Sequence, residues 1–230
     1  MPDRGELKQR LQRKLPPVLM SRLLGAWRTL YWWNRQRRPL PGQTRATVKR
    51  LLASGEPIQL ELGSGAREEL KGWTSLDLAP GAHIHHDLND PLPFPDNSVD
   101  RVYSSHVLEH FTYPHELLHV LHECLRVLKP GGVISAAVPN ARLFLEAYAG
   151  AEFDREKFCT YDVGLKYTSR IDVVNFIAFL GGHHKFMFDE ENLPRVLEEA
   201  GFRNVRLRSF DPAIDLAERA HESIYAEGVK

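Results

Sequence analysis

Pro57-Ile-Gln-Leu-Glu-Leu62 runs straight into Gly63-Ser-Gly65, and Asp77 follows twelve residues after Gly65. This stretch decides the fold. Ile58, Leu60 and Leu62 alternate with polar neighbours and stop at a glycine turn, the pattern of a short strand. Gly63 and Gly65 reach backbone angles closed to other residues and leave room for a ligand against the main chain. Trp73-Thr-Ser-Leu-Asp77 reads as a second strand ending in an acid, which suits the two hydroxyls of a ribose. The dinucleotide fingerprint G-x-G-x-x-G is incomplete, because residue 68 is Glu. No P-loop is present either. The turn therefore favours a nucleoside without phosphates over NAD or ATP.

Strand and helix alternate beyond this point. Ala82–His86 is a weaker third strand and Val99–Ser104 a fourth. Leu118, Leu121, Leu125 and Leu128 give His115–Leu128 helical periodicity. Lys129-Pro-Gly-Gly132 should stop that helix and turn into Val133–Val138, a fifth strand without charge that suits the interior of a parallel sheet. Residues 141–186 read as an inserted, partly helical lid. A helix opens at Asp189-Glu-Glu, acids at its positive end, and closes at Gly201. Asn204–Phe210 and Glu222–Val229 supply the last two strands. Only seven residues separate Gly65 from Trp73, and four separate Asp77 from Ala82, so the early crossover helices must be abbreviated. The expectation is an α/β protein with a Rossmann-like, seven-stranded, mostly parallel sheet.

A chain of 230 residues that is 43% hydrophobic holds one such domain with an appendage. The net charge of zero conceals an asymmetry. Residues 1–50 hold thirteen Lys and Arg against Asp3 and Glu6, while the remaining residues hold seventeen basic against twenty-eight acidic side chains. Trp27, Trp32 and Trp33 also lie in this head, and Leu7, Leu11 and Leu15 share a helical face. Residues 1–50 are expected to form a basic, aromatic helical arm, and residues 51–230 the α/β domain, with 141–186 as its insert. An apolar, Trp-rich face beside arginines fits residues 1–45 docking on an anionic membrane or a protein partner, and equally dimerisation or packing on the chain's own core. The acidic body disfavours nucleic acid. Cys124 and Cys159 form no disulfide framework, and no run of about eighteen apolar residues appears, so the expectation is a cytoplasmic protein, with peripheral membrane association through the arm as the variant of it.

Several motifs occur in order: Glu61-x-Gly63-x-Gly65, Asp77-Leu78, Asp87-Leu88, Pro91-Leu-Pro-Phe-Pro-Asp-Asn-Ser-Val-Asp100, His106-Val-Leu-Glu-His110 and Arg126-Val-Leu-Lys-Pro-Gly-Gly132. In these the chain resembles the class I methyltransferases of the type 11 group, densely over residues 57–138 and weakly through Phe186–Leu193 and Glu198–Phe202. The resemblance implies S-adenosylmethionine as cofactor and S-adenosylhomocysteine as product. It places Glu61, Gly63, Ser64 and Gly65 along the methionine end and ribose, Asp77 on the ribose diol, and Leu78 against adenine. It puts Asp87 at the adenine amino group with Leu88 beside it, and Ser104, Ser105 and His106 toward the methionine moiety. Where the group often has a third glycine, this chain has Arg67.

Methyl transfer to oxygen benefits from a general base, which adds about 10²–10⁴-fold, and histidine is the usual one. His110, His106 and the pair His183-His184 are the candidates, with His183 taken from the pair. The expected function is O-methylation of a small-molecule or saccharide, including lipid-linked, acceptor. The alternative is a non-catalytic module that binds the cofactor and acts through its arm. His106-Val-Leu-Glu-His110 also matches H-x-x-E-H, the inverted zincin motif, which needs a helix. Here the motif follows a strand, so no metal is assigned to it, nor to the row His115, His119 and His122.

Overall fold

The computed structural model describes residues 41–65, 70–79 and 81–230. Helix α1 is Gly42–Ser54, followed by strands β1 (Gln59–Leu62), β2 (Thr74–Asp77), β3 (Ile84–His85) and β4 (Val99–Ser105). A 3-10 turn at Leu108–His110 leads to α2 (His115–Val127) and β5 (Leu128–Pro139). Then come α3 (Ala141–Ala149), α4 (Arg155–Phe158), α5 (Ile171–Phe179), α6 (Asn192–Glu199), β6 (Arg203–Leu207) and β7 (Ser223–Val229).

The seven strands form one sheet in the order β3-β2-β1-β4-β5-β7-β6, parallel from β3 to β5, with β7 antiparallel to both neighbours. The chain leaves β1 toward one edge and returns at β4 toward the other. The carboxyl ends of β1 and β4 thus flank the switch point, where open α/β sheets hold ligands. No helix lies between Leu62 and Val99 among the described residues, in keeping with the short links read from the sequence.

The outermost link is closed by side chains. His83 accepts from the Ser75 amide through Nδ1 (3.1 Å), and Ser75 Oγ accepts from the His83 amide (3.0 Å). Asp100 joins three strands. Its Oδ2 accepts from the Ile58 amide at 2.8 Å, and its Oδ1 pairs with Lys129 Nζ at 2.8 Å. Burial alone would raise this carboxyl, but the Lys129 ammonium and the Ile58 amide outweigh it and hold the carboxyl below its ordinary value.

Four local expectations are corrected. The core-facing stripe of α2 is Leu117, Val120, Leu121, Cys124 and Val127, whereas Leu118 and Leu125 are only half-buried. Lys129-Pro-Gly-Gly132 does not break the chain into a turn. β5 begins at Leu128 and absorbs these residues as an irregularity in its pairing with β4, with Gly131 at φ +79°. β6 ends at Leu207, three residues before the expected Phe210, and β3 shrinks to two residues.

The expected lid is helical, as α3, α4 and α5, and has its own small core: Ala141, Phe144, Phe176 and Ile177, with Phe153 and Phe158 packed against them. Most of the expected arm, residues 1–40 with Trp27, Trp32 and Trp33, lies outside the described residues, as does Arg67. Helix α1 runs through the expected boundary at residue 50, and Val48 is buried in the main core. No helix among the described residues is long and apolar enough to cross a membrane.

A buried polar network fixes the segment between β6 and β7. Asp215, with a fully buried side chain, takes two hydrogen bonds from the Arg208 guanidinium at 2.5 and 2.7 Å and one from the Tyr103 hydroxyl at 3.0 Å. Arg208 Nε also donates to Ser135 Oγ at 2.8 Å. Breaking a buried ion pair on one side strands the other charge, at about 3–5 kcal/mol. Asp215→Ala should therefore lower the unfolding free energy by about that amount in urea titrations, with Asp215→Asn intermediate.

Candidate active site

The turn after β1 is held from two sides. The Gly63 amide donates to Leu76 O at 2.9 Å, extending the pairing with β2. Gly63 has φ +67°, and a Cβ there would lie 2.2 Å from Val107 Cγ2, so side-chain volume is excluded on both counts. Asp77 closes the turn: Oδ2 accepts from the Gly65 amide at 2.8 Å and Oδ1 from the Ala79 amide at 2.7 Å. The acid expected to hold a ribose diol thus first staples the glycine loop, with lone pairs left on each oxygen. Asp87 does the same locally, its Oδ1 accepting from the Asn89 amide and side chain at 2.9 and 3.0 Å.

These turns wall a cleft of about 570 Å³ at the switch point. Glu61, Gly63, Ser64, Gly65, Asp77, Leu78, Asp87, Leu88, Ser105, His106 and His110 all line it, as the sequence led us to expect. Leu78 is 56% exposed and free to cover a ring, whereas Leu88 is buried in the wall. Ser104 is a correction. Strand alternation turns it to the face opposite Ser105, where it is fully buried and lines no cleft.

His183 is a second correction. It is exposed and lines neither the cleft nor the small cavity beside it, and its contribution is a backbone carbonyl that accepts from His110 Nδ1 at 3.0 Å. Its neighbour His184 is the one turned inward.

His106 sits at φ +53°, unusual for a residue with a side chain. Its Nε2 lies 2.7 Å from Ser223 Oγ, whose proton goes to Arg219 O at 2.8 Å, so Nε2 must be the donor. Burial, then the Arg219 charge, then His184 and His110 hold its pKa well below the ordinary histidine value. A neutral, tethered His106 orients the wall and is poorly placed as the base. His110 contrasts with it. Donating Nδ1–H to His183 O leaves Nε2 as a lone pair, and the ring lines both the cleft and the small cavity. Glu109 between them is 2% exposed, neither oxygen has a hydrogen-bond partner, and burial pushes its carboxyl up to about 8.

The sequence reading missed His86, Asn89, Val107, Phe111, Leu216 and Arg219 in the cleft wall. Four of these adjoin residues it named, so adjacency was the available signal. Leu216 and Arg219 come from the segment anchored by Asp215, and nothing local announces them.

Glu61, Asp77 and Asp87 make the cleft acidic, which suits a cationic centre and hydroxyl donors and repels phosphates. A buried His86 Nε2 without a hydrogen-bond partner and the Gly63 close approach mark a wall built to receive a polar, nucleoside-sized ligand. Fold and site together define an open α/β sheet with an acidic cleft at its switch point.

Comparison with known proteins carries this further. Residues 58–136 match the family described as a methyltransferase domain. A probable S-adenosylmethionine-dependent methyltransferase of Mycolicibacterium smegmatis is 40% identical over 65 residues, 28% of this chain and 24% of that protein. A demethylmenaquinone methyltransferase of Staphylococcus aureus is 34% identical over 131 residues, 55% of this chain and 49% of that protein. The chain thus spans a quarter to a half of the length of these curated relatives. A solved S-adenosylmethionine-dependent methyltransferase from Archaeoglobus fulgidus superposes with a TM-score of 0.47 at 18% identity, over 81% of this chain and 92% of that one. Over residues 58–136 the chain is thus similar to methyltransferase domains, and that stretch supplies all of the cleft wall named above except Leu216 and Arg219.

Replacing the staple should show in binding before it shows in stability. Asp77→Ala is expected to weaken S-adenosylhomocysteine binding at least tenfold, about 1.4 kcal/mol, by calorimetry. Being half-exposed, the same change should cost only about 1 kcal/mol of fold stability.

Proposed function

We propose that the protein transfers a methyl group from S-adenosylmethionine to an oxygen of a small-molecule or saccharide acceptor, free or lipid-linked. The observation that carries this reading is His110. It offers an imidazole lone pair at the wall shared by the cofactor cleft and the cavity next to it.

Bound S-adenosylmethionine supplies an electrophilic methyl carbon. His110 Nε2 would take the proton that an acceptor hydroxyl gives up as it receives the methyl group. The glycine turn and Asp77 fix the cofactor. Phe111 and Leu216, also lining the cleft, exclude water around the reacting atoms. Holding two reactants in line is the larger contribution, about 7–11 kcal/mol, and the base adds the rest.

The demethylmenaquinone named for a relative joins the acceptors to be tried. Mass-spectrometric assay of phenols, sugars, lipid-linked saccharides and demethylmenaquinone should give S-adenosylhomocysteine with an O-methylated product. His110→Ala should lower kcat/KM by about 10²–10⁴-fold with cofactor affinity unchanged, and His183→Ala should stay within about twofold because only its backbone is used. Products methylated solely on nitrogen or carbon would overturn the oxygen reading, and so would wild-type turnover by His110→Ala. Cofactor binding with no turnover across the panel would favour the non-catalytic alternative.

A further inference from the structure

The geometry points to a divalent transition-metal site, of zinc type, formed by Glu109, His110 and His184 beside the cofactor cleft. One ligand atom from each of the three lies within 4.8 Å of the other two. Ligands about 2.1 Å from a tetrahedral zinc stand about 3.4 Å apart, so modest side-chain rotations close the set.

Each ligand is prepared separately. His110 Nδ1 donates to His183 O at 3.0 Å, and His184 Nδ1 donates to Ile177 O at 2.7 Å. Both rings thereby turn Nε2 lone pairs outward in a fixed tautomer, the arrangement that backbone carbonyls impose on metal-bound histidines. Glu109 is 2% exposed with neither oxygen hydrogen-bonded, a state that costs free energy unless something positive meets it. Two of the three come from the turn after β4 and the third from the end of the lid. The Lys185 and Phe186 amides both donate to Glu109 O, at 2.8 and 3.2 Å, and so lock these two pieces together.

The ligands wall a small cavity of about 70 Å³, room for one cation with a water. Glu222 and Arg219 line the same cavity with opposite charges. Three protein ligands leave a fourth position open, as in sites that bind water or substrate. His106, the first residue of the H-x-x-E-H motif, is not a ligand, because its Nε2 is held by Ser223. Zinc occupancy and proton uptake by His110 exclude one another. That consequence alone rests on the oxygen-acceptor reading, whereas the cation binds without any acceptor.

Full-length protein stripped with chelator and dialysed would be titrated with Zn²⁺ by calorimetry, and with Co²⁺ by visible absorption. One equivalent per chain with micromolar or tighter affinity is expected, together with the d–d bands of a four-coordinate cobalt site. Glu109→Gln keeps the shape and should weaken zinc at least tenfold and abolish those bands, while S-adenosylhomocysteine binding persists and confirms the fold. His184→Ala should behave likewise, and His122→Ala, an exposed histidine elsewhere, should change nothing. Absence of saturable one-to-one binding, equal affinity in Glu109→Gln, or loss in His122→Ala would each overturn the site. Methyl transfer undiminished with zinc bound would count against His110 as the base only.

Discussion

Everything at this site depends on the contact between Gly63 and Val107. The loops leaving β1 and β4 approach so closely that a single added carbon would overlap Val107 Cγ2. That contact sets the floor of the cleft. It seats the Asp77 staple on one side and turns the chain toward Leu108–His110 on the other. Parallel pairing of β1 with β4, from Gln59 with Arg101 to Leu62 with Ser104, makes the approach unavoidable, because both strands end at the same level.

The polar groups then divide by what surrounds them. Asp77 and Asp87 remain accessible, bind backbone amides of their own loops, and present lone pairs to a ligand. Glu109, His106 and His184 are buried, and each is governed by whether a partner reaches it. Ser223 holds His106, the Ile177 carbonyl orients His184, and no hydrogen bond reaches the Glu109 carboxylate. The low-dielectric pocket makes that inequality consequential. Beside the cleft a histidine pair is therefore set against a buried acid, where Lys185 and Phe186 hydrogen-bond back to the turn after β4.

Rigidity is supplied away from the chemistry. Asp100 binds three parallel strands through one carboxylate, and Asp215 ties Arg208, Tyr103 and, through Arg208, Ser135 into a buried network. The second network delivers Leu216 and Arg219 to the cleft from a segment with little regular structure of its own.

The sequence by itself determined most of the strands and most of the residues that line the cleft. Period-two apolar runs ending in glycine or aspartate are local signals, and many of the lining residues sit at their ends or one to three positions beyond. It misplaced Ser104, because strand alternation decides the facing of each residue and the strand's end was read one residue short. It took His183 from the His183-His184 pair, because in the irregular stretch after α5 no periodicity says which of two neighbours turns inward. Only the tertiary structure decided the rest: that Glu109 is buried without a hydrogen bond, that His184 meets His110 across more than seventy residues of chain, and that Arg219 overlooks both cavities. Those juxtapositions arise from the packing of the lid and the β6–β7 segment on the sheet's carboxyl edge, and long-range packing leaves no period in the sequence to read.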